Sequence, residues 1–157
     1  MKNLVLGTAQ LNDQYGLLNS KKKNKIEIFK FFEFCVNQNI INFDTAEGYK
    51  NHKILGEFFN SHPYHIKPKI ITKVSSISKI YSNDRDRLIL FKKKIEKIIK
   101  DLSTTPNTLL LHDYIDNKFF KNNFNIIREI TSSYGIDNLG FSIYEIKDIS
   151  FLKSFKK

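Results

Sequence analysis

The sequence predicts an α/β protein of barrel type, with about five parallel strands and helices outside them. Three observations carry that prediction. Short, continuous apolar runs recur along the chain, as they do in strands buried on both faces. The stretches between the runs repeat apolar residues three and four apart, the period of an amphipathic helix. The first run is followed by Gly7-Thr8-Ala9-Gln10, with neither a G-x-G-x-x-G turn nor a P-loop. An open, doubly wound dinucleotide-binding sheet therefore lacks its main signature, and the barrel type is favoured.

The elements follow in order. Leu4-Val5-Leu6 reads as the first strand, and Ile28, Phe31, Phe32, Cys35 and Val36 mark one face of the first helix. The second run, Ile41-Asn42-Phe43, ends at Asp44. It leads into a shorter helix with Ile54, Leu55, Phe58 and Phe59 on one side, closed by Ser61, His62 and Pro63. Ile70-Ile71-Thr72 ends at Lys73 and gives way to a Ser-rich loop. Leu88, Phe91, Ile95, Ile98, Ile99 and Leu102 then keep the helical period, the clearest such pattern in the chain. Leu109 to Leu111 ends at His112, and Phe120, Phe124, Ile127 and Ile130 form a fourth helical face stopped at Gly135. Leu139-Gly140-Phe141 ends at Ser142, and Ile146 to Phe155 starts a fifth helix.

Composition sets the limits. The chain has 157 residues, 41% hydrophobic and 27% charged, which suits one domain over residues 1–157. No apolar run is long enough to span a membrane and the N-terminus has no leader pattern, so a soluble, cytoplasmic protein is expected. The net charge of +10 is compatible with nucleic acid, an anionic surface or a phosphorylated small molecule. Much of that charge sits in Lys21–Lys23, Lys92–Lys94 and Lys156–Lys157, which read as solvated lysines. No nucleic-acid recognition motif accompanies them, so no specific nucleic-acid partner is expected. Cys35 is the lone cysteine and lies in an apolar stripe, as a buried structural thiol does. His62 and His65 are close enough to raise a metal site, but no carboxylate or thiol cluster supports one, and no metal is expected.

Asp44, Lys73, His112 and Ser142 each close a strand, and in a parallel barrel such residues converge on one rim, where chemistry is placed. The same residues carry a resemblance. Asp44-Thr45-Ala46-Glu47-Gly48-Tyr49 with Ile54-Leu55-Gly56 resembles the aldo-keto reductase signature D-T-A-x-x-Y-G-x-S-E-x-x-L-G. Ile71-Thr72-Lys73-Val74, Leu110-Leu111-His112-Asp113 and Leu139-Gly140-Phe141-Ser142-Ile143-Tyr144 resemble the family's lysine, histidine and G-x-S strands. The opening Leu6 to Gln10, with Tyr15-Gly16, is similar to a bacterial branch linked to sugar or surface-polysaccharide metabolism. Departures are Lys50 where Gly follows the tyrosine, His52 in place of Glu, and Ile143 where many members carry Asn.

The resemblance implies a partial TIM (β/α)8 barrel and NADP(H)- or NAD(H)-dependent carbonyl/alcohol interconversion on a small, sugar-related substrate. Asp44, Tyr49, Lys73 and His112 would be its catalytic tetrad, with Ser142, Gly7 and Thr8 on the cofactor. Carbonyl reduction builds negative charge on oxygen, so a proton donor and fixed positive charge belong there. An ammonium beside a tyrosine stabilises phenolate, and a carboxylate holds that ammonium. A complete barrel needs about 250 residues. The resemblance thus implies strands one to five only, a truncated or split form without strands six to eight. A second chain or oligomer would then complete the barrel. The alternative is an inactive fragment serving as a binding module for an anionic ligand or partner.

Overall fold

Five short strands lie in chain order in one parallel sheet: β1 (Val5–Gly7), β2 (Asn42–Asp44), β3 (Lys69–Val74), β4 (Thr108–Leu111) and β5 (Asn138–Phe141). The structure is a computed structural model that describes residues 4–11, 24–62, 67–113 and 116–143. Every crossover steps to the next strand in the same direction, so right-handed connections lay all the helices on one face. A doubly wound sheet would reverse at a switch point, and this one does not. The architecture is therefore that of a partial (β/α)8 barrel, as the sequence predicts.

The helices are α1 (Lys25–Asn37), α2 (His52–Ser61), α3 (Asp84–Leu102), α4 (Asn117–Asn122) and α5 (Phe124–Ser133). Their ends follow local chemistry. Asn24 and Glu27 form a capping box at the start of α1, each side chain accepting the other's backbone N–H. Asn83 caps α3 by accepting from the Asp86 N–H at 2.9 Å. At the end of α5, Gly135 takes φ +75° while its N–H donates to the Ser132 carbonyl and the Ile136 N–H donates to that of Thr131. That is a Schellman ending, for which glycine carries no Cβ penalty.

Alternation along the strands separates two faces. Phe43, Ile70, Val74, Leu109 and Leu111 join the buried core beneath the helices, together with Phe32, Leu55, Phe58, Phe91 and Ile95. The other face carries Asn42, Asp44, Ile71, Lys73, Thr108 and Leu110, and only Lys73 among these is buried. The strands are thus buried on one face, not on both as their apolar runs suggest.

Other differences are local. The first strand runs one residue later than expected, and Asp44 and Lys73 lie within β2 and β3. Phe31 falls outside the buried stripe of α1 and is 43% exposed. The expected fourth helix divides at Asn123, whose side-chain amide donates to the Phe119 carbonyl and to Asp84, competing with regular helix geometry. The expectations for Tyr15-Gly16, Lys21–Lys23, Pro63, His65, Tyr144, the helix at 146–155 and Lys156–Lys157 lie outside the described residues.

Candidate active site

The rim is built around the segment that follows β2. Both the backbone N–H and the hydroxyl of Thr8 donate to the Asp44 carbonyl at 2.9 Å. The Thr45 N–H donates to the Ile71 carbonyl at 2.9 Å, and its hydroxyl to Asn51 Oδ1 at 2.7 Å. Asn51 Nδ2 in turn donates to Thr8 at the carbonyl (2.7 Å) and hydroxyl (3.1 Å) oxygens. Thr8, Thr45 and Asn51 are all buried, so these bonds are shielded from competing water. Between the two pinned ends, Glu47–Tyr49 form a single 3₁₀ turn and Lys50 takes a left-handed φ of 55°. This is the position where the signature has Gly, the residue most at ease in that conformation.

Register then brings the sequence-predicted residues together. Gly7, Asp44, Ile71, Thr108 and Asn138 form one row across the sheet, and Lys73, Leu110 and Gly140 form a row nearer the rim. Lys73 Nζ donates to Asp44 Oδ1 at 2.5 Å and to the Thr45 carbonyl at 3.2 Å. The ammonium lies 5.3 Å from the centroid of the Tyr49 ring. Tyr49 and His112 meet edge to face at 6.2 Å. Asp44, Tyr49, Lys73 and His112 therefore share one locus, with Tyr49 and Lys73 buried.

Burial lowers the His112 pKa below its ordinary value, and the Lys73 charge adds to this against the opposing pull of Asp113 and Asp44. The imidazole is accordingly neutral at pH 7, able to donate a hydrogen bond without bringing a second cation beside Lys73.

The three positions expected to meet a cofactor differ. Ser142 follows β5, its N–H donating to the Leu111 carbonyl at 2.8 Å, and is partly exposed. Gly7 is exposed, and no atom of the described residues would lie within 4 Å of a Cβ placed there. The Thr8 side chain is fully buried, with its hydroxyl committed to Asp44 and Asn51.

Sequence reading passed over several residues here. Glu47 bonds Ser75 and Lys94, and the Lys94 side chain is only 11% exposed, so Lys94 is not the solvated lysine expected. Its place three residues after Phe91 and four before Ile98 borders the apolar stripe of α3, the one signal that could have marked it. His52 is buried, with Nε2 2.9 Å from the Thr72 hydroxyl, and burial lowers its pKa to about 4. His62 pairs with Glu33 at 2.8 Å and stacks on Phe58, and no group of three metal-ligating residues occurs among the described residues. No helix among them is long and apolar enough to cross a membrane.

The chain matches the model of the aldo/keto reductase family over residues 3–157. No curated protein matches its sequence. Among solved structures it is similar to a Pseudomonas aeruginosa protein described as an aldo-keto reductase, at 19% identity and a TM-score of 0.71, covering 95% of this chain and 59% of that one. An aldo-keto reductase from Bacillus halodurans in its holo form is 17% identical with a TM-score of 0.66, covering 96% of this chain and 49% of that one. A point mutant of Gox0644 in complex with NADPH is 16% identical with a TM-score of 0.60, again covering 96% and 49%. The chain thus spans about half the length of these structures, and at such identities the likeness is one of fold. With the family match running along nearly its whole length, and the sheet order and helix placement of a partial barrel beneath it, the chain belongs to the aldo/keto reductase family.

Proposed function

We propose that this chain carries the proton-transfer half of an NAD(P)H-dependent carbonyl reductase, acting on a small, sugar-related carbonyl compound in the cytoplasm. A second chain or an oligomer completes the barrel. The observation that supports this most directly is the Lys73 ammonium, buried at the rim 2.5 Å from Asp44 and against the Tyr49 ring, with His112 edge to face against the same ring.

A nicotinamide dinucleotide held at this rim would supply the hydride. In this reading Gly7 and Ser142 would meet its nicotinamide end, and Thr8 would hold that corner of the rim through its buried bond to the Asp44 carbonyl. As the carbonyl carbon gains the hydride, its oxygen becomes alkoxide-like, and the Tyr49 phenol gives up its proton to that oxygen. The Lys73 charge stabilises the phenolate left behind, which solvent reprotonates. Asp44 holds the Lys73 ammonium in place through its Oδ1. The neutral His112 donates a hydrogen bond to the carbonyl oxygen and orients the substrate. Alcohol oxidation runs the same proton path in reverse.

The test is titration of the purified chain with NADPH and with NADH, following nucleotide fluorescence and molecular size together. Micromolar binding, accompanied by an oligomer, with carbonyl reduction lost in Tyr49→Phe and nucleotide binding retained, is the expected result. No binding up to millimolar nucleotide would overturn the proposal for this chain on its own and would favour the binding-module alternative.

A further inference from the structure

We infer that Glu47, Ser75 and Lys94 form a positioning clamp that fixes the turn carrying Tyr49 against the strand end carrying Lys73. The inference rests on the reading of Tyr49 and Lys73 given above and adds three residues to it, none of which touches the reacting atoms.

Glu47 opens the 3₁₀ turn that Tyr49 closes. Its Oε2 accepts from the Ser75 N–H at 3.0 Å and from the Ser75 hydroxyl at 2.6 Å. Ser75 stands two residues beyond Lys73. Lys94, from the middle of α3, donates to Glu47 Oε1 at 2.9 Å, to Oε2 at 2.8 Å and to the Ser75 hydroxyl oxygen at 2.9 Å. Each of the three residues is therefore bonded to the other two. Side-chain exposure is 24% at Glu47 and 11% at Lys94, so the cycle sits largely out of water, where charge-assisted bonds hold their geometry best.

The placement of this cycle gives it its role. Asp44 and Asn51 are tied toward β1 by the Thr8 bonds, and Thr45 is tied to β3. Between those ties the Tyr49 N–H donates to the Ala46 carbonyl at 3.0 Å, within the same turn. Glu47 links this turn to Ser75, just past the strand bearing Lys73, so its reach bears on the distance between the Tyr49 ring and the Lys73 ammonium. The Glu47 carboxylate is not itself a proton carrier. Burial by itself would raise its pKa, but the bonds from Lys94 and Ser75 outweigh that and leave it below its usual value.

The measurement is made on the isotope-labelled chain by NMR, without cofactor. The Tyr49 and His112 rings, edge to face at 6.2 Å, give inter-ring cross-peaks and ring-current shifts on His112. Glu47→Gln keeps the volume and removes the charge, whereas Glu47→Asp keeps the charge and shortens the reach. Positioning predicts that both variants lose the Tyr49–His112 and Tyr49–Lys73 cross-peaks and shift the His112 signals, with the His62 signals unmoved. Unchanged cross-peaks in both variants, or their full return in Glu47→Asp, would overturn it. Should Glu47→Gln fail to fold, Ser75→Ala removes only the hydroxyl arm, and the same cross-peaks decide. Where reduction is measurable, kcat should fall by about 10- to 100-fold with little change in the carbonyl KM, the signature of a misplaced reacting group. The ring contacts are read with no nucleotide present, so failure to bind NADPH would count against the proposed function and leave this result standing.

Discussion

Replacing Asp44 by Asn tests what keeps an ammonium buried at the rim. Lys73 is 7% exposed overall, and its Nζ lies 2.5 Å from Asp44 Oδ1. Two unit charges at that separation attract by at most about 7 kcal/mol at an effective dielectric of about 20. Breaking a fully buried pair by removing one partner costs about 3–5 kcal/mol. The Asp44 side chain is 32% exposed, and an Asn at that position still offers Lys73 a neutral acceptor, as does the Thr45 carbonyl at 3.2 Å. These reduce the expected loss to about 2 kcal/mol, near that of a charge-assisted bond. For a chain of this size the melting temperature should drop by about 4–8 °C. The assay is urea and thermal unfolding of wild type, Asp44→Asn, Lys73→Met and the double variant. The double variant should be more stable than the sum of the single losses by about 1–2 kcal/mol, because both charges are then removed together. A loss below about 0.5 kcal/mol for Asp44→Asn, with strict additivity in the double variant, would refute the idea that this pair stabilises Lys73 in place.

Three further outcomes follow from other parts of the fold. A Cβ on Gly56 would lie 2.3 Å from the Asp101 carbonyl oxygen and 2.8 Å from the Leu102 carbonyl carbon, so α2 must back away from α3. The overpacking cost of about 1–3 kcal/mol should match or exceed the roughly 1 kcal/mol of helix propensity that Gly56→Ala restores; a clearly raised urea midpoint would contradict this contact. His52 has its pKa lowered to about 4, chiefly by burial. Between its ordinary value near 6.5 and about 4 the unfolded chain binds the extra proton, so stability is full above about 6.5 and falls by roughly 3 kcal/mol as pH drops to 4. His52→Asn should lack that part of the slope, and identical pH profiles would refute it. Cys35 is 3% exposed with its thiol pKa raised by burial, so its alkylation should track unfolding; fast modification of the folded chain would place it elsewhere.

What was legible in the sequence were features that repeat. The helical period from Leu88 to Leu102 became α3, and Gly135 stopped α5 through the left-handed ending that favours glycine. The polar residues closing each run were readable as a group because parallel strands all point the same way, so their ends share a rim. Phe31 misled because periodicity counts every apolar residue near a face, whereas burial depends on where the neighbouring helix and sheet stop. Asn123 was invisible because a single side chain that bonds Phe119 and Asp84 leaves no periodic trace.

The site divides the same way. Sequence alone determined the strand and helix alternation, the barrel type, and the candidacy of Asp44, Lys73 and His112 from their positions at strand ends, while Tyr49 was marked by the resemblance of its motif to the family's signature. Only the tertiary structure decided that Thr8 is consumed by Asp44 and Asn51, that His52 rests on Thr72, and that Lys94 leaves solvent to close a cycle with Glu47 and Ser75. Each of these joins residues 19 to 47 positions apart. Their bonds depend on parallel register and on the depth at which α2 and α3 pack, and neither is written in any local pattern.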